Sequence, residues 1–374
     1  MNRQMKALTS GCLISAISAT FFLVLPLAIG AISNQTEYGE QFLGLIATIY
    51  LFSFTIAGVL SASISPKVDQ RLVSLVGFLL LISGFFLTAV SLPDHTVLLT
   101  GIGMAGLGAG ILYSVSFRII GLATNLERAY GLKLFTEQIL AATIFFIFAY
   151  LALPFSLLMK SLAGIAFLFM SVIVFTPKFA FIERDNHLAD TENSNISAVI
   201  LSIFAVVLFM FAMTGPWTFL EPLSQERSLD PKLFGTLGAI SLLLGGVGGG
   251  IAAIQGKKYG LQKPLFFSII IAIGIYAALM FMELPGFIIF ILIFPLLWNY
   301  ALAFQFSITS QLDKQNRYSG WLAPAVAIGA TGGPIFAGTI LENTETAMVM
   351  ILVAGLLSSL ALLISAKTRK LNSR

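Results

Sequence analysis

Residues 97–117, VLLTGIGMAGLGAGILYSVSF, form an uncharged stretch that ends against Arg118. A hydrocarbon core about 30 Å thick is crossed by roughly 20 apolar residues in helical form. The stretch therefore matches one membrane crossing, and its arginine marks one boundary. The same pattern repeats in both directions along the chain. Spans are expected at 11–33, 41–64, 72–92, 97–117, 134–153, 155–176, 198–220, 233–254, 265–282, 286–308, 319–341 and 346–366. Of 374 residues, 57% are hydrophobic and 10% charged, so the short connections leave no room for a sizeable soluble domain. The fold class expected is an all-α membrane protein with twelve transmembrane helices.

The basic residues set an orientation. All but three of the 21 lysines and arginines (Lys160, Arg227 and Lys232) fall at the ends or in alternate gaps between spans. Basic residues concentrate on the cytoplasmic side, so both termini are expected there, which requires an even number of spans. The net charge of +4 reports this bias, and nucleic-acid binding is not implied. Arg3 and Lys6 followed by an apolar run imitate a secretory signal, but the run exceeds a signal core. A retained first helix is expected. Cys12 is the single cysteine, which excludes an intramolecular disulfide and a thiolate metal cluster.

The longest hydrophilic segment, 177–197, falls after the sixth span. It divides the chain into an N-terminal six-helix bundle at 1–176, a cytoplasmic linker at 177–197 and a C-terminal six-helix bundle at 198–374. Repetition supports the division. Leu126-Glu127-Arg128 before span five answers Leu312-Asp313-Lys314 before span eleven, and Pro26 answers Pro216 at a similar depth. Two such halves around a midplane site form a transporter architecture.

Three local stretches then carry a family resemblance. Ser65-Pro66-Lys67-Val68-Asp69-Gln70-Arg71 resembles the Gly-x-x-x-Asp-Arg-x-Gly-Arg-Arg loop of the major facilitator superfamily, keeping its Asp and an Arg but not the glycines or the double Arg. Gly256-Lys257-Lys258-Tyr259-Gly260 is similar to the second copy of that loop. Gly329-Ala330-Thr331-Gly332-Gly333-Pro334, continuing to Gly338, is similar to the Gly-Pro-Gly helix of span eleven. The resemblance covers essentially the whole chain, and more narrowly points to bacterial inner-membrane facilitators of unassigned substrate. It implies a monomeric secondary transporter that moves a small molecule by alternating access. Spans one, four, seven and ten would line the cavity, spans eight and eleven would be moving seams, and Asp69, Arg71, Lys257 and Lys258 would serve the cytoplasmic gate.

Polar residues inside the spans supply the site candidates. Met210, Thr214, Trp217 and Glu221 share one helix face by spacing, as do Pro295, Trp298, Gln305 and Thr309, with Asn299 alongside. Such stripes either face lipid or, if the resemblance holds, converge on the cavity, where Tyr113 and Gln138 would complete the wall. The substrate-binding set is thus Tyr113, Gln138, Thr214, Trp217, Trp298, Asn299 and Gln305. Proton coupling requires a carboxylate that loads and unloads within the membrane, and Glu137 and Glu221 are the candidates. Arg118 either snorkels to the interface or points inward. A neutral or amphipathic organic solute fits this lining best, with protons as coupling ion and the bilayer as solvent.

An intramembrane enzyme is the competing reading, and a non-transporting sensor a third. The chain has two histidines, His95 and His187, both expected in loops, and it carries no metal-ligand motif or nucleophile elbow. No enzyme activity, metal or other cofactor is therefore expected.

Overall fold

The computed structural model describes residues 3–33, 35–38, 40–64, 67–151, 154–179, 196–256, 258–279, 283–341, 357 and 359. Helices α1 (Arg3–Leu23) and α2 (Leu25–Ser33) together make the first span. The break at Val24 lies just before Pro26, and a proline has no amide hydrogen to donate to the turn before it. Next come α3 (Glu40–Ser63), α4 (Gln70–Ala89), α5 (His95–Ile120), α6 (Leu126–Tyr150) and α7 (Phe155–Met170), the last extended by a 3-10 turn at Ser171–Phe175. Further along the chain follow α8 (Ile196–Glu226), α9 (Pro231–Gln255), α10 (Gln262–Leu279) and α11 (Leu284–Leu312). A 3-10 turn at Ser319–Trp321 leads into α12 (Leu322–Leu341).

Among the described residues, nine helices are long and apolar enough to cross a membrane. Eleven of the expected spans fall on described helices. The twelfth, 346–366, and most of the linker at 177–197 lie outside the described residues, save for Leu357, Ser359 and the linker's two ends.

Several helix boundaries depart from the hydropathy reading. Helix α6 begins eight residues before the expected 134, because Asn125 caps it: its side chain accepts the Arg128 amide at 3.0 Å and its carbonyl the Ala129 amide at 3.0 Å. Helix α8 continues to Glu226, so Glu221 lies within the helix rather than at its end. His95 likewise opens α5 instead of lying in a loop; Asp94 caps that helix through the amides of Thr96 and Val97.

The chain forms two compact units. Unit one comprises Met1–Ala123, Thr136–Phe181 and Ser319–Pro324; unit two comprises Thr124–Phe135, Ile182–Tyr318 and Ala325–Arg374. In unit one, α5 is the central helix, packed against α1, α3 and α4. Small residues bring these backbones together: a Cβ at Gly84 would lie 2.3 Å from the Ala105 amide nitrogen, and one at Gly110 2.2 Å from the Phe54 carbonyl oxygen. In lipid, such close packing takes the place of hydrophobic burial as the force between helices. In unit two, α11 packs against α8, α9 and α10, and Gly248 of α9 rests on the Leu296 carbonyl. Outward faces remain apolar, with Phe52, Phe146, Phe167, Leu168 and Ile254 all exposed.

Candidate functional site

In unit one, two helices deliver hydroxyls to a buried carboxylate carried by a third. Glu137 of α6 is 3% exposed. The Ser15 hydroxyl of α1 donates to its Oε1, and the Tyr113 hydroxyl of α5 bonds the same side chain. The Tyr113 ring stands 5.5 Å from Phe54 and edge-on to Phe117 at 5.1 Å. Tyr50 and Phe21 continue this wall, 4.6 Å apart. Gln138, next to Glu137, is buried as well. Two of the sequence candidates, Tyr113 and Glu137, are thus brought together. Ser15, which the sequence offers only as a small polar residue in span one, completes the group. Nothing in its local sequence marks it, because its partner is supplied by another helix.

Arg118 does not snorkel. It is fully buried, and its Nη2 donates to the carbonyls of Ser61 at 2.5 Å, Ala62 at 2.8 Å and Ile64 at 2.6 Å. Those oxygens belong to the last turn of α3 and its exit, where helix carbonyls lack intrahelical partners. Nη1 reaches Gln70 at 3.4 Å at the start of α4. The guanidinium fork thereby ties three helix ends together. Gly320 closes the other side, since a Cβ there would meet the Arg118 Nε at 2.7 Å, and its carbonyl accepts from Ser114 at 3.1 Å.

The gate candidates of this unit are held by backbone. Asp69 caps α4 by accepting the Arg71 amide at 2.9 Å. Arg71 donates from Nε to the Thr176 carbonyl at 2.7 Å and from Nη2 to Val174 at 3.4 Å, fastening α4 to the turn after α7. Lys257 lies outside the described residues. Lys258 is exposed, its amine 5.3 Å from the Tyr259 ring.

In unit two the aromatic stripes of α8 and α11 meet. Trp217 and Trp298 stand edge to face, 6.4 Å apart, and Phe294 lies 5.7 Å from Trp298. Thr214 donates to the Met210 carbonyl at 2.8 Å and to Gly329 at 3.4 Å. Asn299 donates to the Pro295 carbonyl at 2.9 Å. Gln305 is placed differently: fully buried, it donates to Ser359 at 3.2 Å, and Ser359 donates to the Ala205 carbonyl at 2.7 Å. The side chain of Glu221 lies outside what the structure describes.

A second polar group of unit two was not among the candidates. It joins the first turns of α6 to the last of α11. Tyr130 and Ser310 share a hydrogen bond of 2.5 Å, Gln311 donates to Glu127 at 2.9 Å, and the Lys133 amine lies 5.3 Å from the Phe306 ring. Glu127, Tyr130 and Lys133 are fully buried. Gly131 lets this segment approach α9, where its Cβ would lie 2.5 Å from the Ala253 amide. The sequence signal was the charged repeat at 126–128 and 312–314, two members of which flank this contact. Among the described residues no cluster of His, Cys, Asp and Glu suits a metal ion.

The sequence matches the family profile described as Major Facilitator Superfamily over residues 9–314. The chain belongs to that superfamily. Solved structures of the family share the fold over nearly the full length. The human organic anion transporter MFSD10 (TETRAN) aligns with a TM-score of 0.79 at 14% identity, covering 97% of this chain and 100% of its own. FucP in the outward conformation, the E. coli fucose:proton symporter, gives 0.74 at 14% identity, with 99% of each chain covered. A bacterial homologue of the iron transporter ferroportin, outward-facing with soaked iron, gives 0.71 at 16%, covering 98% and 100%. At these identities the likeness concerns the fold. No curated protein matches the sequence. The protein is thus a multi-pass membrane protein with a superfamily transporter fold.

Proposed function

We propose that the protein is a secondary active transporter that carries a small neutral or amphipathic organic solute by alternating access, coupled to protons. The observation behind the coupling is the carboxylate of Glu137, buried within a span and met by two hydroxyls. An intramembrane acid is costly and retained for use. Hydroxyls both donate and accept, so Ser15 and Tyr113 can serve the ionised carboxylate as donors and the protonated acid as acceptors. Glu137 would then load and release a proton without leaving either form unsatisfied. Glu221 is the second candidate. FucP, similar in fold, is a fucose:proton symporter, which is in line with this reading.

The solute would lie against Trp217 and Trp298, with Tyr113, Gln138, Thr214, Asn299 and Gln305 as the other proposed contacts. Aromatic faces and amides favour an uncharged or amphipathic molecule over a multiply charged one. The deciding experiment is flux of a solute panel into liposomes with an imposed pH gradient. Proton-driven flux of at least one neutral organic solute, abolished in Glu137→Gln with unchanged protein yield, is expected. Gradient-independent flux in the parent protein, or full coupling in both Glu137→Gln and Glu221→Gln, would reject the assignment.

The halves proposed to move are 1–176 and 198–374, joined by 177–197, in a monomer with both termini cytoplasmic, in a bacterial inner membrane. Asp69, Arg71, Lys257 and Lys258 are proposed to hold the cytoplasmic gate. To them we add the two segments that pack with the unit other than that of their own helix. These are Thr124–Phe135 and Ser319–Pro324. Opening would release Tyr130 from Ser310 and Gly320 from Arg118. Labelling of cysteines placed near each terminus, in intact against permeabilised cells, tests the orientation.

A further inference from the structure

Unit two contains a cavity of about 310 Å³ between the end of α9, the start of α10 and the middle of α11, with Gln255, Tyr259, Lys263, Phe267, Ile271 and Tyr300 in its wall. It is separate from the tryptophan pair and from the Glu127 group. Lys263, Phe267 and Ile271 follow one another at intervals of four, so they share one face of α10. All three are exposed, Phe267 at 61% and Ile271 at 48%. The stripe thus runs from a cation at the helix start to apolar groups deeper in the span.

That order is the mirror of an amphiphile with an anionic head and a hydrocarbon tail. Within the wall, Tyr300 donates to Gln255 at 2.6 Å, so these two polar groups partner each other. Lys258 lies next along the chain, its amine over Tyr259. Lys263 sits in the first turn of α10, where the helix dipole opposes a cation and favours an anion. Basic pockets between helices at a membrane surface suit acidic head groups, and a cavity of this size falls at the low end for small-ligand sites. We propose that this cavity is a binding site for an anionic phospholipid of the leaflet facing the basic gaps, its phosphate at Lys263 and one acyl chain along Phe267 and Ile271. The site does not depend on which solute is carried or on proton coupling.

The test is lipid retention and thermal stability of the purified full-length protein, taken from nanodiscs of phosphatidylcholine alone or with added phosphatidylglycerol. Phosphatidylglycerol is expected to remain bound after detergent extraction, detected by native mass spectrometry, and to raise the thermal midpoint. Lys263→Gln should lower its retention about fivefold, the effect of one basic residue near an anionic head group. Ile271→Trp, which fills the tail position and keeps the lysine, should lower it too. Lys178→Gln, an exposed lysine elsewhere, should retain the lipid and the midpoint shift. Equal retention of both lipids by the parent protein overturns the proposal whatever the variants do. So does phosphatidylglycerol retention that survives both Lys263→Gln and Ile271→Trp.

Discussion

The Nη2 atom of Arg118 and the carbonyl oxygen of Ser61 lie 2.5 Å apart, and two further carbonyls, of Ala62 and Ile64, share the same nitrogen. One side chain of α5 therefore satisfies the open end of α3. Arg118→Gln would leave buried carbonyls without their donor, at a cost of about 2–4 kcal/mol. The expected result is a lower thermal midpoint and reduced yield of folded protein. Arg118→Lys should recover only part of the loss, because an ammonium lacks the planar fork. Full stability of Arg118→Gln in a thermal-shift series would show that α3 ends without this clamp.

Ser15 and Tyr113 both bond Glu137, so each should matter to coupling without being an acid itself. Hydrogen bonds to a charged group contribute about 1.5–3 kcal/mol. Ser15→Ala and Tyr113→Phe are each expected to reduce proton-driven flux by about tenfold or more, while leaving folding intact. Ser18→Ala is the control, since that hydroxyl donates only to Ile14 and Ser15 within its own helix. Flux measured against pH in all three variants separates the cases.

What the sequence disclosed and what it withheld divide along a physical line. Spans such as 97–117 were legible because lipid demands uninterrupted apolar length, a property of neighbouring residues. The start of α6 was not: Glu127, Arg128 and Lys133 lower the local hydropathy and resemble a loop. The burial of Glu127 and Lys133 depends on Gln311 and Phe306 of α11, far along the chain. Arg118 failed similarly, as position along a helix fixes its depth but not which helix ends surround it. Candidate acids could be named from scarcity alone. The Ser15 donor for Glu137 could not, because serines in α1 differ only by facing direction.

Glycines divide into two classes with opposite expected effects. Gly84 and Gly108 sit against the backbone of a neighbouring helix, with Cβ positions 2.3 Å from Ala105 and 2.4 Å from Leu81. Gly84→Val or Gly108→Val should force α4 and α5 apart and lower stability by several kcal/mol, roughly the scale of severe overpacking. Gly164 and Gly274 have no atom within 4 Å of an added Cβ. Gly164→Ala and Gly274→Ala should raise the thermal midpoint, since alanine is favoured by about 0.5–1 kcal/mol in a helix interior. Loss of stability in the second pair would mean that lipid or a partner occupies the space.

Trp217 and Trp298 give the proposed solute contact an intrinsic signal. The chain has three tryptophans, and the third, Trp321, lies in the turn before α12. A transported solute is expected to change the emission, and Trp217→Phe/Trp298→Phe should remove that change while Trp321→Phe preserves it. Affinity should fall about tenfold on losing either ring of the pair, the weight of one aromatic contact in a buried site. An emission change that follows Trp321 instead would place the solute elsewhere.

The contact between Tyr130 and Ser310 offers the most direct probe of the gate. If the first turns of α6 leave α11 when the cytoplasmic side opens, linking them should stop turnover. With Cys12 replaced by Ala, Tyr130→Cys and Ser310→Cys joined by a short bis-maleimide are expected to abolish flux, and the unlinked double variant to retain it. A weaker form of the same argument applies to Tyr130→Phe. Removing one neutral hydrogen bond worth about 0.5–1.5 kcal/mol should favour the opened state and raise labelling of a cysteine placed at the buried Ala129 by roughly two- to tenfold. Undiminished flux through the linked protein would mean that this contact persists throughout the cycle, leaving Ser319–Pro324 as the moving part of the gate.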